Sequence, residues 1–182
     1  MIIICPGFHP PQLTQDFISA MGWSSLHERE CYVIPAKFAP YNVPAIYHWL
    51  SQTLNPSTTS LSFLGFSAGV VGAIGTALLC QQQGGTVKCL IAVDGWGVPL
   101  LGTFPIYRIS HDPFTHYTSQ LLGRGQQNFY CDPEVSHFKL WQRPDMAWGW
   151  WEIQWGCRVR CSAAKMINEV LVGHDECSES RA

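Results

Sequence analysis

Gly65-Phe66-Ser67-Ala68-Gly69 sets a serine between two glycines, each two residues away. This G-x-S-x-G spacing has a mechanical meaning. A serine nucleophile works from a sharp strand-to-helix turn. Side chains two positions to either side would collide there with the strand and the helix, so glycine stands at both places. The hydroxyl is then clear at the carboxyl end of a strand, and backbone N–H groups at the helix start can hold a developing oxyanion. Such a serine needs a base at neutral pH, and the base needs an orienting carboxylate. The histidines downstream are His111, His116, His137 and His174. Two carboxylates follow apolar runs: Asp94 after residues 90–93 and Asp112 after 106–111. Asp132, before Pro133, is most simply a turn residue.

These residues need elements to hold them, and the elements alternate. Ile2–Cys5 and residues 31–34, 61–65, 87–93, 105–110 and 128–131 read as six strands. Residues 10–21, opened by Pro11, and residues 43–54 and 68–82 carry apolar side chains at helical spacing. Residues 146–172 read as a helical tail broken near Gly156. Strands rich in Ile, Val and Leu without polar alternation are covered on both faces. Strands alternating with helices imply right-handed crossovers and a parallel sheet. The expected fold is therefore α/β: a doubly wound, mostly parallel six-stranded sheet with helices on both faces, in a single domain over residues 1–182.

Composition narrows the function. Charged residues make up 13% of the 182, about half the usual ~25%, and the apolar content of 47% excludes intrinsic disorder. Eleven Lys and Arg against thirteen Asp and Glu leave a net charge of −2. With no basic run to follow a phosphate backbone, a nucleic-acid role is excluded. The eight cysteines form no C-x-x-C pair, and five of them (5, 31, 80, 89 and 131) lie in or beside apolar runs. They read as buried thiols of a reducing, cytoplasmic compartment. Cys157 and Cys161 would share a helix face, but no second pair completes a zinc site. The opening residues read as a strand and not as a secretion signal. Residues 61–80 have the length of a membrane span, yet they carry four glycines and hydroxyl residues and divide equally well into a strand and a buried helix. Five of the eight tryptophans (141, 148, 150, 151 and 155) crowd into fifteen residues. That tail reads as an aromatic cover over a sheet face or as a peripheral lipid contact.

The elbow Gly65-Phe66-Ser67-Ala68-Gly69, with its flanking strand and helix, resembles the α/β-hydrolase superfamily in a compact form without the usual first two strands. Cys5-Pro6-Gly7-Phe8-His9 is similar to the family's H-G-x loop, with Pro6 where the family's His stands. The resemblance implies oxyanion donors at the Phe8 and Ala68 N–H groups and the strand order 2-1-3-4-5-6. It also implies a chain order of nucleophile, acid, base. Val135-Ser136-His137-Phe138 resembles the family's final loop and makes His137 the base. His111 and His116 would then line the pocket rim, and His174 would be solvated in the tail. Asp112 is expected to orient His137, with Asp94 as the alternative. Asp112 would lie ~5 Å from the His137 loop by strand spacing and Asp94 ~10 Å, and Asp94-Gly95 has its own explanation as a turn. The implied function is a serine hydrolase acting on a small-molecule carboxylic ester or thioester through an acyl-enzyme on Ser67, with no metal or organic cofactor. Short covering loops (96–104 and 117–127) imply an open site. The alternative is a catalytically inactive hydrolase-fold module that binds an apolar ligand or a protein partner.

Overall fold

A computed structural model describes residues 1–23 and 30–179 of the chain, the side chains of the final helical turn excepted. Among the described residues eight strands form one sheet: β1 (Ile2–Cys5), β2 (Cys31–Val33), β3 (Ser60–Phe66), β4 (Thr86–Val93), β5 (Ile106–Ser110), β6 (Gln127–Cys131), β7 (Trp148–Gln154) and β8 (Cys157–Ser162). The helices are α1 (Pro11–Ala20), α2 (Val43–Thr53), α3 (Gly69–Gln82), α4 (Pro113–Ser119), α5 (His137–Gln142) and α6 (Ala163–Glu179). The sheet runs β2-β1-β3-β4-β5-β6-β7-β8. The first six strands pair in parallel, and β7 and β8 are antiparallel.

The central strands are buried on both faces, and the alternation of side chains shows it. Ile2, Ile4, Leu64, Phe66, Ile91 and Val93 join one core with Phe17 of α1, Trp141 of α5 and Met166 of α6. Ile3, Cys5, Leu61, Phe63, Leu90 and Ala92 join the other with Ile46 and Leu50 of α2 and Val70 and Ala73 of α3. Each such side chain removed from water contributes about 1.5–3 kcal/mol. Packing therefore holds even the four-residue β1 in place.

α3 is apolar on nearly all sides because it lies between the sheet and α2. A Cβ at Gly72 would meet Pro40 and Ile46, and one at Gly75 would meet Val43. The apolar stretch of membrane-span length is thus divided between β3 and this enclosed helix. No described helix is long and apolar enough to cross a membrane.

The sheet departs from expectation at its far edge. It has eight strands and is mixed, where six mostly parallel strands were expected. Residues 148–162 form an antiparallel hairpin, not the first half of a helical tail. Its two-residue loop is Trp155-Gly156, with Gly156 at φ 75° in the left-handed region that such tight turns use. Cross-strand pairs replace helical spacing: Trp150 lies opposite Arg160, and the Arg158 guanidinium stacks over the Trp150 ring at 4.3 Å. Cys157 and Cys161 are accordingly strand residues, the first exposed and the second buried.

The tryptophans divide. Trp141 and Trp151 are in the core, while Trp148 and Trp155 stand exposed. Cys5, Cys80, Cys89, Cys131 and Cys161 are buried, and burial pushes the Cys5 and Cys131 thiols up to about 12. The side chain of Cys177 lies outside the described residues.

Candidate active site

Ser67 follows the last residue of β3 and precedes α3, with φ at +54°. A left-handed conformation is costly for any residue but glycine and persists only where the surroundings enforce it. Here the Ser67 N–H donates to Val93 O at 2.9 Å, tying the turn to the end of β4. Gly65 and Gly69 allow the turn to be this tight. A Cβ at Gly65 would lie 2.8 Å from Val70 Cα, and one at Gly69 would overlap the carbonyl oxygens of Cys5 and Pro6. The loop after β1 therefore lies directly against the start of α3. A Cβ on Gly7 would come within 2.9 Å of Ser67 Cβ. Among the described residues the Phe8 and Ala68 N–H groups have no acceptor. Both sit in backbone segments packed beside Ser67, as a pair of oxyanion donors requires.

His137 is the first residue of α5, whose N-cap Ser136 accepts from the Lys139 N–H at 3.3 Å. The ring rests on Phe66, the residue before Ser67, with centroids 4.6 Å apart. Phe66 in turn stacks on Trp141 at 4.7 Å, and Trp141 on Phe17 at 4.0 Å. Trp141 lies four residues after His137, so one face of α5 carries both rings of the stack on Phe66. His137 Nδ1 lies 2.6 Å from Asp94 Oδ2. That bond directs Nε2 away from the carboxylate.

The carboxylate on His137 is thus Asp94, and the expected pairing of His137 with Asp112 is not the one the fold brings together. The reason is local. Asp94 also takes a left-handed conformation, φ 54°, and its N–H donates to Ile109 O at 2.7 Å. Held there, the Asp94 carboxylate is met by the rings of both His111 and His137. Asp112 instead caps α4, accepting from Thr115 N–H and Thr115 Oγ1, both at 2.7 Å. His111 stands between the two acids, with Nδ1 2.7 Å from Asp94 Oδ2 and Nε2 2.6 Å from Asp112 Oδ2.

Burial pushes the Asp94 carboxyl up, but hydrogen bonds from His111 and His137 outweigh it and hold the group below its ordinary value. For His111 the bond to Asp94 dominates and raises the ring above its ordinary value against partial burial.

Ser67, Ala68, Asp94, His111 and His137 line one cavity of about 650 Å³, walled by Trp96, Phe114 and Thr115. The cover is partly as expected. Trp96 belongs to the loop after β4, with its Nε1 donating to Thr118 at 3.2 Å, but the other wall is α4. Trp96 and Phe114 remain largely exposed. Gly7 and Phe8 also border a second, mostly apolar cavity of about 610 Å³ with Ile18, Val33 and Phe38.

His116, expected at the rim, is fully buried and lies 3.4 Å from Glu152. His174 is half-buried, its Nε2 2.8 Å from the Tyr107 hydroxyl. Asp132 accepts from Trp150 Nε1 at 2.9 Å. The sequence reading underrated His111. Its signal was its place next to Asp112 at the end of a strand whose neighbour ends in Asp94.

Asp94, His111 and His137 offer ligand atoms within 4.8 Å of one another. Both Nδ1 atoms, however, already face one carboxylate at hydrogen-bond distance. In a tetrahedral zinc shell the ligand atoms stand about 3.3 Å apart, so the arrangement is that of a hydrogen-bonded cluster. In comparisons with known proteins, no family model and no curated protein matches the chain.

Proposed function

We propose that this protein is a serine hydrolase of the α/β-hydrolase type. It cleaves a carboxylic ester or thioester through an acyl-enzyme on Ser67, with His137 as base and Asp94 as the orienting acid. One observation carries the reading. A serine in a left-handed strand-to-helix turn shares a cavity with a histidine whose Nδ1 is fixed by a buried aspartate. Nothing in folding alone calls for these residues together, and nucleophilic catalysis calls for all of them.

The proposed steps are these. His137 Nε2 takes the proton of the Ser67 hydroxyl as its oxygen attacks the carbonyl carbon. The Phe8 and Ala68 N–H groups hold the oxyanion of the tetrahedral intermediate. Collapse expels the alkoxide or thiolate, which leaves with the proton from His137. Water then attacks the acyl-enzyme, giving its proton to His137, and collapse breaks the Ser67 ester bond, with His137 returning that proton to Ser67 Oγ as the acid leaves.

A cavity of about 650 Å³ is in the range of sites that hold a small organic molecule. Its exposed aromatic rim suits a substrate with an apolar acyl or alcohol part. The buried thiols suit a reducing compartment.

Turnover of short p-nitrophenyl esters tests the reading. Steady-state hydrolysis that Ser67→Ala reduces to the buffer rate, in a variant with unchanged circular dichroism, supports it. Wild-type protein without turnover, or Ser67→Ala with full turnover, overturns it.

A further inference from the structure

The reaction of Ser67, His137 and Asp94 does not require His111, yet His111 is built into the same cluster. Its backbone N–H donates to Asp94 Oδ1 at 3.2 Å, and its Nδ1 lies 2.7 Å from Asp94 Oδ2. Its Nε2 lies 2.6 Å from Asp112 Oδ2, on a carboxylate that Thr115 holds in place. An ionised carboxylate only accepts hydrogen bonds, and a neutral imidazole has a single N–H. Carboxylate oxygens at ion-pair distance from both ring nitrogens favour the doubly protonated ring.

We propose that His111 is a positioning residue, held as an imidazolium between Asp94 and Asp112, that fixes Asp94 and keeps His137 available as a base to lower pH. The kinetic half of this inference rests on the reading of Ser67, His137 and Asp94 given above.

Asp94 Oδ2 bonds His137 Nδ1 at 2.6 Å, and Asp94 Oδ1 bonds His111 Nδ1 at 2.8 Å. The two rings are 6.0 Å apart between centroids. A cation at His111 and an imidazolium at His137 would share one carboxylate. The charged and titratable groups facing His111 are Asp94 from the end of β4, Asp112 from its own loop, Glu134 from the loop after β6, and His137 from α5. Three carboxylates thus surround the ring and favour its charged form. The nearby Cys131 thiol, pushed up to about 12 by burial, stays neutral. The loops are also tied at the backbone, since the Val135 N–H donates to His111 O at 3.1 Å. At ~6 Å and an effective dielectric of ~40, one unit charge moves a neighbouring titration by about one pH unit.

Two measurements on the full chain test the proposal. Long-range ¹H–¹⁵N spectra of the histidine rings at pH 7.5, assigned by the signal lost in His111→Gln, are expected to show both His111 nitrogens protonated. Asp112→Asn is expected to return the ring to a single N–H. A neutral His111 ring in the wild type overturns the proposal. In the kcat/KM profile for p-nitrophenyl acetate, His111→Gln is expected to move the acidic limb up by about one pH unit. A merely structural role would lower the plateau and leave the limb in place, and that result also overturns it. Should the wild type hydrolyse no ester, the proposed function fails. The ring spectra still decide the charged bridge: a doubly protonated ring supports it and a neutral one overturns it.

Discussion

At the scale of single residues, two carboxylates competed for one role, and conformation decided between them. Asp94 and Asp112 both end strands at the same sheet edge. Sequence spacing favours Asp112, because that argument treats strand ends as level. It does not reveal that Asp94 takes a positive φ and meets the rings of both His111 and His137. The cost of that conformation is offset by four hydrogen bonds that meet at Asp94: its own N–H to Ile109, and those from the His111 backbone, the His111 ring and the His137 ring. Asp94→Asn presents an amide N–H or the wrong acceptor to His137 and favours the wrong tautomer. It should lower kcat by ~10⁴. Asp112→Asn keeps an N-cap acceptor for Thr115, so the plateau kcat should fall less than about tenfold, under ~1.4 kcal/mol of barrier. Steady-state kinetics of the two folded variants checks the pair, and the opposite ranking would return the acid to Asp112.

At the scale of elements, the parts that place Ser67 were legible because each carries its own local signal. β3 is a continuous apolar run, α3 a small-residue helix, and the two glycines of the elbow lie where a Cβ would strike backbone. The hairpin of β7 and β8 was not read, since its tryptophans and arginines satisfy a helical pattern about as well as an alternating one. The loop Trp155-Gly156 and the β-forming aromatics around it were the available clue. His137 was legible, but the stack that seats it was not, because Phe17, Phe66 and Trp141 come from three separate elements. Gly69→Ala drives a methyl into the Cys5 and Pro6 carbonyls and must push the Phe8 loop off the elbow. It should cost about 1–3 kcal/mol of stability and reduce kcat more than KM. Urea unfolding together with ester kinetics would show both effects. A variant with wild-type kcat would separate the Phe8 loop from the chemistry.

At the scale of the whole molecule, the cluster and the core make distinct demands on solution conditions. Asp94 is held below its ordinary value, so its contribution to stability is present above the unfolded value of about 3.9 and fades as pH falls through the lower folded one. His111 is held above its ordinary value, so its contribution is present below about 6.5 and fades as pH rises through the raised folded one. The Tm difference between wild type and His111→Gln should therefore be widest between about pH 4 and 6.5 and narrow on the alkaline side. A gap that widens with alkali would contradict the raised value of His111.

Burial makes a separate prediction about thiols. A thiol reagent should label the exposed Cys157 in the native protein and reach Cys5, Cys80, Cys89, Cys131 and Cys161 only after denaturation, as peptide mass spectrometry would show. Whether Ser67 is an activated nucleophile is read from the intact mass and peptide map of the folded protein after a fluorophosphonate. An activated Ser67 gives one phosphonyl adduct per chain, located on that residue. An unmodified folded protein beside a labelled control hydrolase, or an adduct on any other residue, would contradict an activated Ser67.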